Sequence, residues 1–193
     1  MLGFGECPDS KGIIKDFEVG QYVGIWYEQY RYFITPEIGS TCSQINLTHS
    51  DDGALKYEIS YLSTWNDLYL TVTGSARFEA PDGEGKFVID FPGRDNVSIK
   101  YRILDTDYDS YSVTWSCENK DGYNLRNVWI FTREQYPTNE VILKAIVALK
   151  KSKMPVKFLI KTDQYNCGQP DIEIDPDAEY IDDVDLNKDA EEI

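Results

Sequence analysis

The sequence predicts an all-β fold, with about eight antiparallel strands followed by one α-helix near the C-terminus. Three observations predict it: short segments in which apolar and polar residues alternate, turn residues between these segments, and one stretch with helical periodicity. The 193 residues suffice for one domain with a substantial core. We expect this domain to comprise residues 1–167 and an acidic tail to follow it over residues 168–193.

The strands are identified by a sequence period of two. Apolar residues alternate with polar ones from Leu55 to Tyr61, directly after the turn signal Asp51-Asp52-Gly53. Similar segments are 68–78, 87–91, 99–103, 111–115 and 129–131, and further strands are expected near Trp26 and Ile45. Such a meander closes as an up-and-down barrel or folds as a β-sandwich, and periodicity alone fits both.

One amphipathic helix is predicted over about residues 138–152. Thr138 is a suitable N-cap, and lysines in the last turn suit the negative end of the helix dipole. The apolar residues at spacings of i, i+3, i+4 and i+7 share one face: Ile142, Ala145, Ile146 and Leu149.

The net charge of −15 argues against nucleic-acid binding, because phosphate contacts need clustered Lys and Arg, which the sequence does not contain. No segment is long and apolar enough for membrane insertion. From Gly168 to Ile193, eleven acidic residues stand against Lys188 alone. We expect this tail to be hydrated and disordered, with binding of a cation such as calcium as the alternative.

The four cysteines, Cys7, Cys42, Cys117 and Cys167, are far apart and lack the spacing of a zinc site, so no metal site is expected. An even cysteine count together with glycosylation sequons at Asn46 and Asn96 predicts two disulfides in a secreted, extracellular protein. The N-terminal residues do not resemble a signal peptide, so a signal would have been removed before this numbering begins.

Three short motifs resemble those of the lipocalins. Gly24-Ile25-Trp26 resembles the G-x-W motif, Thr106-Asp107-Tyr108 the T-D-Y motif, and Arg133 the arginine of the third motif. The segments Glu6-Cys7-Pro8 and Thr162 to Cys167 are similar to the branch containing apolipoprotein D, bilin-binding protein and crustacyanin-type carotenoid carriers. The likeness spans residues 5–167.

This resemblance implies an eight-stranded antiparallel up-and-down barrel with the C-terminal helix packed outside. It also implies disulfides joining Cys7 to Cys117 and Cys42 to Cys167. In this family the arginine of the third motif packs over the tryptophan of the first at the closed end of the barrel, which implies structural roles for Trp26 and Arg133.

The resemblance further implies which side chains face the interior of the barrel, called the calyx, and which face outward. Tyr111, Val113 and Trp115 would lie outside beneath the helix, and Val128 and Ile130 would be buried there as well. Loops 33–40, 63–68, 92–97 and 119–127 would surround the mouth, where Tyr30, Tyr32 and Phe33 are further candidates for ligand contact. Ser112 and Gly74 would also face inward. The ligand-binding candidates are Leu47, Tyr57, Ile59, Tyr61, Val72, Ile89, Phe91, Tyr101, Ile103, Thr114, Trp129 and Phe131.

The predicted function is binding and transport of one small hydrophobic ligand. The 14 tyrosines and 4 tryptophans suit a flat conjugated ligand, because aromatic walls stack on it and hydroxyls orient its polar ends. The resemblance favours a pigment, either a bilin such as biliverdin or a carotenoid, with no other cofactor required. A steroid or fatty-acid carrier and a structural or storage subunit of a pigment complex are the alternatives. Homo- or hetero-oligomerisation is left open.

An enzyme is not predicted. His49 is the single histidine, next to a turn, and no phosphate-binding loop or carboxylate pair at motif spacing is present. Pairing of all four cysteines would leave no thiol nucleophile, which excludes the chemistry of the prostaglandin-isomerising lipocalins.

Overall fold

The computed structural model describes residues 1–8, 12–34, 37–50, 54–79, 83–92 and 97–168. Most of these residues lie in β-strands. The strands are β1 Leu2–Phe4, β2 Gly24–Arg31, β3 Ser40–His49, β4 Leu55–Ser63, β5 Leu68–Phe78, β6 Lys86–Phe91, β7 Val97–Thr106, β8 Tyr111–Lys120, β9 Tyr123–Thr132 and β10 Ile160–Lys161. The helices are α1 Val19–Tyr22 and α2 Asn139–Lys151, and a 3₁₀ turn spans Val156–Phe158.

Strands β2 to β9 form one closed antiparallel barrel. Each strand pairs with its neighbour in the chain, and β2 pairs with β9 to close the sheet. Strand β1 pairs with the first three residues of β9, and β10 pairs with the last two residues of β2. A sandwich is excluded because all these strands belong to a single sheet that returns to its first barrel strand. The predicted eight-stranded barrel with one helix outside is confirmed.

The described residues form two hydrophobic cores, one inside the barrel and one between the barrel wall and α2. Strand β9 serves both, with Trp129 and Phe131 in the inner core and Val128 and Ile130 in the outer one. Val113 and Trp115 of β8 also belong to the outer core. This explains why a strand that is covered on both faces is apolar at consecutive positions.

Helix α2 packs against the outer core through two alanines and a leucine. Ala145, Ala148 and Leu149 are buried, and the helix contacts β7 and β8. The Thr138 side chain caps the N-terminus, since its hydroxyl accepts the Val141 N–H at 3.5 Å. The helix proper is one residue shorter at each end than predicted, because Thr138 and Ser152 are its caps.

The C-terminal segment completes the barrel wall where β2 and β3 no longer pair. Strand β2 pairs with β3 only over residues 24–27, and its pairing with β9 shifts register between Glu28 and Tyr30. Beyond that bulge, β10 pairs with Tyr30 and Arg31 instead. Gln164 follows β10 and donates hydrogen bonds to the backbone oxygens of Glu28 and Ser43, both at 2.8 Å. Residues 160–164 therefore bridge β2 and β3 near the open end.

Two disulfides join Cys7 to Cys117 and Cys42 to Cys167, the pairing that the resemblance implies. Among the helices of the described ranges, none is both long and apolar enough to cross a membrane. Residues 169–193 of the acidic tail and Asn96 lie outside the described residues.

Candidate ligand-binding site

The closed end of the barrel is sealed by Trp26 and Arg133. The Arg133 guanidinium carbon lies 3.8 Å from the centre of the Trp26 ring, and Trp26 is completely buried. Arg133 also donates to backbone oxygens of Ile25 at 3.0 Å, Tyr108 at 2.9 Å and Gln21 at 2.8 Å. Desolvation lowers the Arg133 pKa from its ordinary value. These contacts hold α1 and the turn between β7 and β8 across the barrel end.

The T-D-Y motif builds that turn. The Thr106 hydroxyl donates to the Tyr111 backbone oxygen at 2.6 Å and accepts the Tyr108 N–H at 3.0 Å. The Asp107 carboxylate accepts the backbone N–H groups of Ser110 at 2.8 Å and Tyr111 at 3.0 Å. Burial opposes ionisation of Asp107, but these hydrogen bonds and the Ser110 hydroxyl hold its pKa below the ordinary value. The motif is therefore structural and lies away from the calyx mouth.

Four aromatic side chains cross the middle of the calyx, and we call Tyr57, Phe91, Tyr101 and Trp129 the aromatic floor. The ring centre of Tyr101 lies 5.6 Å from that of Trp129 and 6.0 Å from that of Tyr57. Thr114 donates a hydrogen bond to the Tyr101 hydroxyl at 2.9 Å. Burial raises the pKa of Tyr57 and of Tyr101 above the ordinary phenol value, so both stay neutral.

Below the aromatic floor, towards Trp26, the barrel is almost filled. A cavity of about 10 Å³ remains there, which has room for no more than one water molecule. Its lining residues are Tyr22, Leu47, Tyr57, Ala76, Phe87, Ile89 and Tyr101. Ile103 and Phe131, also predicted as ligand contacts, are fully or almost fully buried in the same core.

Above the aromatic floor, towards the mouth, the inward face of the barrel is apolar but accessible. Side chains alternate along β4 and β5, so residues that share a face with Tyr57 or Ala76 point inward. Four of these inward-facing residues are only partly buried: Ile59, Tyr61, Leu70 and Val72. The residues below the aromatic floor, in the deep half of the barrel, are buried. Ile59 and Val72 pack on the inner core. We call this accessible region the wide half of the calyx.

The structure thus divides the predicted contacts. Ten of them belong to or pack against one inner core: Leu47, Tyr57, Ile59, Val72, Ile89, Phe91, Tyr101, Ile103, Trp129 and Phe131. Thr114 joins them through its bond to Tyr101, whereas Tyr61 is partly buried outside this core.

A polar cluster on the calyx wall was not predicted from the sequence. Arg31 lies between two glutamates, with its Nη1 2.6 Å from Glu28 Oε1 and its Nε 3.1 Å from Glu37 Oε2. Trp129 of the aromatic floor donates its indole N–H to Glu37 Oε1 at 3.2 Å. The sequence carries a signal only for the first pair, since Glu28 and Arg31 are close in the chain. Glu37 is brought to Trp129 by the loop after β2.

The Glu37 carboxyl group is held in an unusual electrostatic environment. Burial and the nearby Glu28 raise its pKa to about 8, although Arg31 and the Trp129 N–H favour the ionised form. Glu37 therefore titrates close to neutral pH, within reach of the calyx.

Two of the tyrosines considered for ligand contact face away from the calyx. Tyr32 is completely buried in the outer core and donates its hydroxyl to the Pro155 oxygen at 2.8 Å. Tyr30 packs on the same core. The expectation that they meet ligand was wrong, because the bulge in β2 turns both residues outward. Phe33, in the loop after them, is 59% exposed.

The remaining sequence candidates are on the surface. Asn46 alternates with the buried Ile45 and Leu47 and so points outward, and it is half-buried. His49 is exposed at the end of β3. Across the described ranges, no group of three or more His, Cys, Asp or Glu side chains is arranged to hold a metal ion.

Comparisons with known proteins agree with this architecture. The model of the lipocalin / cytosolic fatty-acid binding protein family matches residues 23–166. Apolipoprotein D of Cavia porcellus is 29% identical over 168 residues, which cover 85% of each chain. Insecticyanin of the tobacco hornworm Manduca sexta has a TM-score of 0.76 at 21% identity, covering 84% of this chain and 88% of its own. Lobster apocrustacyanin A1 has a TM-score of 0.67 at 20% identity, covering 84% and 91%. The chain therefore belongs to the lipocalin family, in the branch that its motifs resemble.

Proposed function

We propose that this lipocalin binds and carries one small hydrophobic molecule in the wide half of its calyx. The observation that supports this most directly is the accessible apolar surface of Ile59, Leu70 and Val72 above the aromatic floor. Apolar side chains that face inward and still meet solvent gain free energy when a ligand covers them. Ligand binding and transport are also the general activity of the family to which the chain belongs.

The ligand that this surface suits is flat and conjugated, and a bilin or a carotenoid is the pigment class we propose. Tyr101 and Trp129 present neighbouring rings at an angle of 34°, which provides a broad stacking surface. A steroid or a fatty acid would use the same apolar wall without needing the rings. We also propose that the protein acts outside the cell, since two disulfides persist in oxidising compartments.

We propose binding without turnover. Both thiol pairs are engaged in disulfides, so Cys7, Cys42, Cys117 and Cys167 offer no thiolate nucleophile. His49 is exposed at the terminus of β3 next to the closed end of the barrel, away from the calyx mouth.

A structural or storage subunit is the second candidate, and one observation favours it. The deep half of the barrel contains a cavity of about 10 Å³, whereas sites for small molecules usually measure several hundred. A barrel filled to this extent is a stable scaffold for assembly with other chains.

The absorption spectrum of protein purified from its source distinguishes these functions. An absorption band beyond the tryptophan region means a bound pigment, while a colourless protein that releases lipid on solvent extraction means a steroid or fatty-acid carrier. Protein that releases nothing and takes up no offered pigment, as followed by quenching of tryptophan fluorescence, would contradict a carrier function and favour the structural subunit.

A further inference from the structure

We propose that the wall of the calyx selects ligands by their polar end, accepting a hydrogen-bond donor or a positive charge and rejecting a carboxylate. The selecting groups are Glu28, Arg31 and Glu37. This inference rests on the proposed carrier function, because it concerns the ligand that occupies the wide half. It adds a chemical class for the end of that ligand, which the aromatic and apolar wall does not specify.

The two polar residues on β2 face the calyx. Directly paired residues on neighbouring strands point to the same face of a sheet. Glu28 pairs with Phe131 and Arg31 pairs with Trp129, and both of these aromatic residues lie in the inner core. Glu37 reaches the same place from the loop after β2, since its carboxylate accepts the Trp129 indole N–H. The three side chains therefore line the wall next to the aromatic floor.

The Nη donors of Arg31 already have partners and are not free for a ligand carboxylate. Its Nη1 donates to Glu28 and to the Thr162 hydroxyl, at 2.6 and 2.9 Å. Its Nη2 donates to the Glu37 backbone oxygen at 2.9 Å and lies 3.3 Å from the Ser40 hydroxyl. Its Nε faces the Glu37 carboxylate. A guanidinium has five N–H donors; the four on Nη1 and Nη2 have these partners, and the fifth, on Nε, lies within ion-pair distance of Glu37 without a hydrogen bond.

Glu37, by contrast, retains capacity to accept hydrogen bonds. A carboxylate has about four acceptor positions, two on each oxygen. Glu37 Oε1 accepts the Trp129 N–H, whereas Oε2 is buried 3.1 Å from Arg31 Nε and has no hydrogen-bond partner. When Glu37 is ionised, a ligand hydroxyl, amide or ammonium group can donate to its free acceptor positions, but a ligand carboxylate has nothing to donate.

Charge points in the same direction. Two carboxyl groups surround one guanidinium here, so once Glu37 is ionised a ligand carboxylate would meet like charges that repel it. The basic residues of β4 and β7 do not offset this charge, since Lys56, Lys100 and Arg102 alternate with the inward-facing Tyr57 and Tyr101 and so point outward. Within the pigment classes, this favours a carotenoid with hydroxyl ends over a bilin with free propionates.

The selection depends on pH in a defined direction. Glu37 faces Arg31 and Glu28 on β2, Trp129 on β9 and the neutral Tyr57 on β4. Its pKa is raised to about 8, so it is mostly protonated below that pH and ionised above it. An ammonium ligand favours the ionised form, and its affinity must therefore rise as the pH increases towards 8 and level off above it.

Three ligands with the same alkyl chain test this proposal: dodecylamine, dodecanol and dodecanoate, each below its micelle concentration. Binding is measured by isothermal titration and by quenching of tryptophan fluorescence. At about pH 9, where Glu37 is ionised, we expect dodecylamine and dodecanol to bind at least about tenfold more tightly than dodecanoate, because like charges within a binding site are costly. Dodecylamine affinity should rise between about pH 6 and pH 9 while dodecanol affinity does not follow it.

The variant Glu37→Gln keeps an acceptor for the Trp129 N–H and removes the charge. It should weaken dodecylamine about tenfold at about pH 9, abolish the pH dependence and leave dodecanol nearly unchanged. Glu58→Gln is the matched control, since Glu58 points outward on β4 and pairs with Lys56 at 2.8 Å. Equal binding of all three ligands by the wild-type protein would overturn the inference and leave the carrier function standing. Binding of none of them would instead contradict the carrier function. Both of these outcomes are measured on the wild-type protein, so they do not depend on whether a variant folds.

Discussion

Two tryptophans inside the barrel differ in the groups that accept their indole N–H. Trp26 donates to the Tyr22 backbone oxygen at 2.8 Å and is covered by the Arg133 guanidinium. Trp129 donates to the Glu37 side chain, which belongs to a loop at the mouth. A backbone oxygen next to a sealed barrel end is fixed, whereas a side chain at an accessible wall can exchange its partner for a ligand. Trp26 is therefore structural, and Trp129 is placed to report on binding.

Replacing Arg133 with Ala should destabilise the protein and spare ligand binding. The variant loses the cation-π contact and several charged hydrogen bonds, worth together about 2 to 3 kcal/mol at this partly exposed site. The Tm should fall by roughly 5 to 10 °C for a domain of this size. Calorimetry and dodecanol titration measure the two effects. Arg77→Ala is the control, because Arg77 is largely exposed and its ion pair, with Asp90 at 3.1 Å, lies on the surface. A large affinity loss in folded Arg133→Ala would mean that Arg133 contributes to the site.

Helix α2 and the bulge in β2 show how single elements shape the molecule. The two buried alanines, Ala145 and Ala148, bring the helix close to β7 and β8. The bulge between Glu28 and Tyr30 changes which side chains of β2 face inward, so that Arg31 faces the calyx and Tyr32 faces the outer core. One extra residue in a strand is enough to reverse which side chains face inward after it, because side chains alternate with a period of two.

Enlarging Ala145 to Leu should destabilise α2 against the barrel. Ala145 has no exposed surface, and extra methyl groups in a well-packed core cost about 1 to 3 kcal/mol. Urea unfolding followed by circular dichroism measures the change in the free energy of unfolding. Val147→Leu, at a site on the same helix that is 49% exposed, should change it little. Equal effects of the two variants would show that α2 does not pack closely on the wall.

At the scale of the whole molecule, the two ends of the barrel are stabilised differently. Arg133, the T-D-Y turn and α1 close one end with hydrogen bonds to backbone groups. Near the other end, residues 160–164 complete the wall, and the disulfide from Cys167 to Cys42 attaches this segment to β3. Thr162 in this segment is buried and bonds to Arg31, so the C-terminal segment also supports the polar cluster.

The two disulfides should have similar effects on stability. Their effects on ligand binding should differ, because the Cys42–Cys167 disulfide holds the segment that supports the polar cluster. Their sequence separations are 110 and 125 residues, so in the chain-entropy model each contributes about 4 to 5 kcal/mol. We expect the double variant Cys42→Ser/Cys167→Ser also to weaken dodecanol binding, and Cys7→Ser/Cys117→Ser to leave it nearly unchanged. Denaturant unfolding and titration of both variants check this. Equal losses of affinity would show that the C-terminal segment does not support the site in particular.

Much of the fold could be predicted from the sequence because its signals are local. The alternation from Leu55 to Tyr61 predicts β4, and the apolar face of residues 142–149 predicts α2. The disulfide pairing came from the resemblance of residues 5–167 to a known family, and the structure confirms it. The short strands β1 and β10 were not predicted, since two or three residues are too few for a periodic signal.

The sequence by itself determined an acidic, disulfide-bonded, all-β protein with one amphipathic helix, and through its motifs a lipocalin barrel. Only the tertiary structure decided how deep the calyx is and which polar groups line it. Glu37 and Trp129 are 92 residues apart in the chain, and Arg31 and Thr162 are 131 apart. Their contacts depend on closure of the barrel, on a one-residue bulge and on the return of the C-terminal segment. No local pattern encodes such contacts, because each depends on where distant parts of the chain meet.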